Sequence, residues 1–111
     1  IMTEVITKDR VIRDGKVAVV YSPGFGAGWS TWADSEIREK IVFDPEIVSF
    51  VESNDKNGLS LYMALKYPDA YTGGMDDLIV DWLPVGTAFR IHEYDGNESI
   101  EVKEDMDWLI A

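Results

Sequence analysis

The chain has 111 residues, 46 % of them hydrophobic and 12 % aromatic, which is one domain's length with enough apolar surface for a real core. Its 21 Asp and Glu against 10 Lys and Arg leave a net charge of −11, a sign that repels nucleic-acid phosphates and attracts basic proteins. The absence of cysteine excludes disulfides, thiolate catalysis and Cys-ligated metal centres, and no apolar run reaches the roughly 20 residues of a membrane span.

The N-terminal IMTEVITKDR carries no signal-peptide pattern, so a cytoplasmic protein starting at Met2 is expected. Val5 to Ile12 reads as a first strand, and Arg13-Asp14-Gly15-Lys16 as an Asp-Gly hairpin turn. Val17 to Tyr21 is a continuous apolar run, which predicts a strand buried on both faces until Pro23 and Gly24 stop it. Ile41-Val42-Phe43 reads either as a short strand or as the tail of a helical turn. Asp44-Pro45-Glu46 is a helix start: Asp44 can cap, Pro45 suits the first helical position, and Glu46 complements the positive helix end. Ile47, Phe50 and Val51 share a face of that helix, which Asn54 to Gly58 breaks. A second helix is expected from Leu59 to Tyr67, with Leu61, Tyr62 and Leu65 inward and Pro68 after its end.

Beyond Gly73-Gly74 the period returns to two. Leu78, Val80 and Trp82 alternate with Ile79, Asp81 and Leu83, and Pro84 to Gly86 makes a connection. Thr87 to Tyr94 and Glu98 to Val102 flank the hairpin signal Asp95-Gly96-Asn97, and Met106 to Ile110 can add an edge strand. The expected fold is a single α+β domain over residues 1–111. It has an antiparallel sheet of about five strands and two helices on one face, in the order ββααβββ.

The most unusual segment is Ser22 to Trp32, SPGFGAGWSTW. Its alternating glycines allow close backbone approach, successive N–H groups can form a nest for phosphate oxygens, and tryptophans can stack on a base. Gly24, Phe25, Gly26, Gly28, Trp29 and Trp32 are therefore the candidate ligand-binding residues. Arg38 follows closely, and Arg90 is expected to reach in from the sheet to supply positive charge. The competing, purely structural account is a wide turn whose tryptophans cover the core. Neither GxGxxG nor GxxxxGK[ST] is present, since position 29 is Trp29.

The acidic excess defines the second candidate. From Asp69 to Ala111 there are 11 acidic residues against Arg90 and Lys103, a net of −9, while residues 1–68 are near balance at −2. Asp76, Asp77, Asp81 and Glu101 are the candidate partner-binding residues on that face. Asp95, Asn97 and Glu98 do not form a calcium loop, because Ile100 stands where Gly is required and Met106 where Glu is required. No metal and no cofactor is expected. His92, the sole histidine, lies in register with Arg90 and Tyr94 and opposite Phe89, as an exposed strand residue would. Sequence identifies no nucleophile beside it and no GxSxG elbow exists, so no catalytic residues are assigned, and a hydrolase using His92 with carboxylates is the third and least expected reading.

At YSPGFGAGWSTW, and again at YPDAYTGG and FRIHEYDGNESIE, the chain resembles small bacteriophage and prophage proteins. In size and charge it is similar to phage counter-defence proteins: anti-CRISPR proteins, DNA mimics and sponges for nucleotide signals. That resemblance implies a viral protein acting in the host cytoplasm by binding, and it carries over no functional residue. Two expectations follow. The first is a non-enzymatic protein that sequesters a small nucleotide-like ligand through the loop at 22–32, as a homo-oligomer where sites lie at subunit seams. The alternative is an acidic inhibitor that binds a basic host protein through its C-terminal face, without direct nucleic-acid or membrane contact.

Overall fold

The computed structural model describes residues 3–25 and 28–103, so Gly26 and the expected edge strand at Met106 to Ile110 lie outside the described residues. Strands β1 (Glu4–Ile6), β2 (Val11–Arg13) and β3 (Lys16–Tyr21) come first. Helices α1 (Ser35–Phe43), α2 (Pro45–Glu52) and α3 (Lys56–Lys66) follow, and then strands β4 (Ile79–Pro84), β5 (Phe89–Tyr94) and β6 (Asn97–Val102). The fold is α+β, but the strands form two antiparallel sheets, β1-β2-β3-β4 and β5-β6, rather than one, and three helices replace the expected two. Among the described residues no helix is long and apolar enough to cross a membrane.

Local chemistry accounts for the differences. The expected strand Val5 to Ile12 is a hairpin, because Thr7 turns the chain. Its N–H donates to the Arg10 carbonyl at 2.9 Å, and its hydroxyl oxygen accepts from the Asp9 and Arg10 N–H groups at 3.3 and 3.1 Å. Ile41-Val42-Phe43 is the last turn of α1, whose apolar stripe, Ile37 and Ile41 among charges, is too narrow to announce a helix. The two Asp-Gly turns form as expected, with positive φ at Asp14 and Gly15 and at Asp95 and Gly96, the conformation that fits the twist of a two-residue hairpin.

Strand β3 is central and buried from Val17 to Val20. In register, Ala18 faces Trp82 and Val20 faces Val80, and this side of the sheet meets the helices. Val11, Trp29, Ile41, Ile47, Val48, Leu59, Met63 and Tyr67 complete the core. Arg13 closes one flank. Its guanidinium pairs with Glu4 at 2.6 Å and forks onto Glu52 at 2.9 and 3.1 Å while lying 4.5 Å over the Trp82 ring, which ties β1, α2 and β4 together. The β5-β6 hairpin sets Phe89 edge-on against Phe43, with centroids 6.1 Å apart.

Asp44 sets the rotation of α3. The side chain is 3 % exposed, and one oxygen caps α2 by accepting from the N–H groups of Glu46 and Ile47 at 2.9 and 3.4 Å. The other oxygen accepts from the Tyr62 and Tyr67 hydroxyls, each at 2.7 Å, and from Lys66 Nζ at 3.4 Å. Drawing both tyrosines inward turns Leu59, Tyr62 and Met63 toward the core. Leu61 and Leu65, expected inside, are instead 63 % and 76 % exposed. Burial raises the Asp44 carboxyl, but the hydrogen bonds from Tyr67 and Tyr62, the Glu46 N–H and the Lys66 charge outweigh it and hold the group below its ordinary value.

A carboxyl depressed in the folded state stabilises fully above its unfolded pKa of about 3.9 and loses that contribution as pH falls through the folded value. Asp44→Asn is therefore expected to cost about 2 kcal/mol near neutrality, with the gap to the parent protein closing in acid. Urea unfolding at a series of pH values measures this. A gap that stays constant into strong acid would show that the charged form is not what the tyrosines hold.

Candidate functional site

The loop between β3 and α1 is organised around a carboxylate from the distant β6 strand. Glu98 is 1 % exposed. Its Oε1 accepts the Ser22 N–H at 3.0 Å. Its Oε2 accepts the Trp29 N–H at 2.9 Å, the Thr31 N–H at 3.0 Å and the Thr31 hydroxyl at 2.5 Å. The Glu98 N–H in turn donates to the Ser22 carbonyl at 2.8 Å. Three separated amides of the loop thus converge on one anion, and that anion is the protein's own carboxylate. Four donors around one buried carboxylate satisfy a charge that would otherwise be prohibitive to bury.

Trp29 is the consequence. With its amide held by Glu98, Trp29 is 0 % exposed and packs in the core. Burial of this kind is worth about 3–5 kcal/mol when a tryptophan is truncated to alanine. Among the described residues, two buried polar atoms of the loop, Ser22 Oγ and Trp29 Nε1, lack a hydrogen-bond partner, so the carboxylate holds the loop against some loss of solvation.

The outer side of the loop is aromatic. Phe25 is 70 % exposed, and Trp32 and Tyr71 are also exposed, with ring centroids 5.1 Å apart at 46°. Trp32 lies directly on Gly28, and Gly28 in turn meets Gly74 at backbone distance, where any side chain at position 74 would strike the Gly28 carbonyl and Ser22 Oγ. The Asp77 carboxylate lies over Gly24. The described part of the loop and segment 71–77 therefore adjoin, with Asp76 exposed next to Asp77 on the 3₁₀ turn Met75–Asp77.

Of the two positive groups expected here, Arg38 stays at the end of the loop and Arg90 pairs on its own hairpin. Arg38 is exposed and donates to the Ala33 carbonyl at 2.9 Å. Arg90 points from the outer face of β5 to Glu101 at 2.6 Å, and His92 Nδ1 lies 3.5 Å from the same carboxylate. Arg90 therefore does not reach in from the sheet, because β5 and β6 form a separate hairpin with Phe89 and Ile91 on its other face. Of the acidic set, Asp76 and Asp77 lie together and Asp81 is exposed on β4, where it accepts the Trp82 N–H at 2.9 Å. Glu101 belongs to the other sheet and is engaged by Arg90. Among the described residues, no group of three or more His, Asp or Glu is placed to hold a metal ion.

Two contributors were not among the ligand- or partner-binding residues expected from sequence. Tyr71 sits two residues before a glycine pair, a spacing that favours a ring folding back on backbone. Glu98 carries no sequence signal beyond its place at a hairpin tip. Compared with protein-family models, curated proteins and solved structures, the chain matches none.

Glu98→Ala leaves three amides and a hydroxyl without their acceptor and is expected to cost about 3–5 kcal/mol. Glu98→Gln keeps the shape and one acceptor, and loses less. Hydrogen exchange at the Ser22, Trp29 and Thr31 amides should accelerate ahead of the central strand β3. Protection unchanged at those three amides would show that another group anchors the loop.

Proposed function

We propose that this chain is a non-enzymatic binding protein whose aromatic and acidic surface takes a basic segment of a partner protein. The observation that carries this reading is the contrast between the two sides of the loop. Three of its amides are consumed by Glu98, while Phe25, Trp32 and Tyr71 stand exposed and the Asp77 carboxylate lies over Gly24 of the same loop. Arginine and lysine side chains suit such a surface, because rings attract the cation over their faces and carboxylates take the charged end. The net charge of −11 adds long-range attraction for the same partner.

A nucleotide-like ligand at this loop is less favoured. Its phosphates would meet amides already bonded to a carboxylate and the charge of Asp77, with Arg38 turned to a carbonyl and Arg90 on the far side of its hairpin. The resemblance to phage counter-defence proteins supplies a setting in which capture of a basic host protein in the cytoplasm acts as inhibition.

Titration with an Arg-Gly repeat peptide, followed by tryptophan fluorescence, tests the reading against a Ser-Gly peptide of equal length. Binding is expected to weaken with salt, to fall about fivefold in Trp32→Ala for a lost cation–ring contact of roughly 1 kcal/mol, and to be lost when Asp76 and Asp77 are both reversed to lysine. Equal binding of the uncharged peptide, or indifference to the charge reversal, rejects the proposal.

A further inference from the structure

Four of the chain's ten cations line one cleft, on a protein whose net charge is −11. The cleft has a volume of about 590 Å³ and lies between the β1–β2 turn, the length of α1 and the end of α3. Lys8 and Arg10 come from the turn, Lys40 from α1 and Lys66 from α3. Lys66 is committed to Asp44 at 3.4 Å. Among the described residues Lys8, Arg10 and Lys40 form no ion pair, although the chain has about two carboxylates for every cation.

Arg10 is held in a particular way. Its guanidinium lies 4.4 Å over the Phe43 ring, and Phe43 is itself braced edge-on by Phe89. Stacking fixes the plane of the guanidinium without consuming its N–H donors, so the fork stays free to take two oxygens of an anion. The first turn of α1, at Ser35 and Glu36, opens on the same cleft, and the Asp34 side chain does not cap it. Its unused N–H groups add a weak positive end to the three side chains.

We propose that this cleft is a binding site for a small phosphate-bearing anion, held by Arg10, Lys40 and Lys8. The volume falls within the roughly 300–1,000 Å³ of small-molecule sites. Asp9, Glu36 and Glu39 also line the cleft and limit the occupant: they leave room for one compact anion and oppose an extended polyanion such as a nucleic-acid strand. The site is separate from the aromatic surface, so it stands or falls independently of the basic-partner reading.

Calorimetry and amide chemical-shift mapping of the whole chain with pyrophosphate, glycerol 3-phosphate and AMP as probes test this. At least one probe is expected to bind, shifting amides of the 7–10 turn and of α1. Arg10→Gln and Lys40→Gln should each weaken it about tenfold, the effect of one charge-assisted hydrogen bond, and Arg10→Lys by less. Lys56→Gln, at the opposite end of α3, serves as the charge control and should change nothing. Preference for AMP over pyrophosphate identifies an ester with a planar group, and the reverse a bare phosphate anion. The proposal is overturned by absence of heat and shifts at millimolar probe, or by equal losses in Lys56→Gln and Lys40→Gln. Shifts confined to residues outside the cleft, or a single-stranded oligonucleotide binding more tightly than AMP, also overturn it.

Discussion

A single carboxylate, Glu98, decides the form of this molecule's most distinctive segment. Residues 22–32 contain three glycines and would sample many conformations as a free loop. The carboxylate gathers the amides of Ser22, Trp29 and Thr31 onto two oxygens and so closes the loop at both ends. It also joins a two-stranded hairpin, which by itself would be marginal in water, to the end of the central strand. The burial of Trp29 and the exposure of Trp32 follow together, because the chain between them is fixed at Thr31.

Asp44 plays the corresponding role at the other end of the core. Both anchors are acids from element boundaries, buried and supplied with several donors, and both are paired with groups far away in sequence. Burial also raises the Tyr62 and Tyr67 hydroxyls above their ordinary range, with Asp44 as acceptor adding to it, so these bonds keep the same sense of donor and acceptor across the physiological range. Among the described residues two carboxylates are thus interior, and Glu101 is spent on Arg90. The net charge therefore overstates the acidity of the surface, on which Asp69, Asp76, Asp77, Asp81 and Asp95 are the exposed acids among the described residues of the C-terminal third.

Much of the local structure was legible in the sequence, for reasons that are themselves local. Asp-Gly pairs dictate their turns, Asp44-Pro45 starts a helix, and an apolar run such as VAVVY has to lie in a sheet interior. The failures occur where a distant partner decides. Leu61 and Leu65 have the right spacing to face a core, yet two tyrosine hydroxyls bonded to Asp44 rotate the helix away from them. The division into two sheets depends on where the β5-β6 hairpin docks, which Glu98 and Phe89 settle through contacts with Ser22 and Phe43. The loop was recognisable as unusual, but its donors point inward to an acid 67 residues or more away, a separation that no local pattern records.

The two surfaces respond oppositely to the field of the whole protein. At physiological ionic strength that field decays over about 8 Å, so a basic segment approaching Trp32 and Asp77 is attracted before contact, and added salt slows its association. An anion approaching the α1 cleft is repelled by the same net charge until it comes within reach of Lys8, Arg10 and Lys40, and salt lowers that barrier even as it weakens the final pairing. Anion association should therefore pass through a maximum with ionic strength while association of a basic partner declines throughout. The contrast needs no coupling between the sites, because it follows from the local charge of each within the field of a strongly acidic chain.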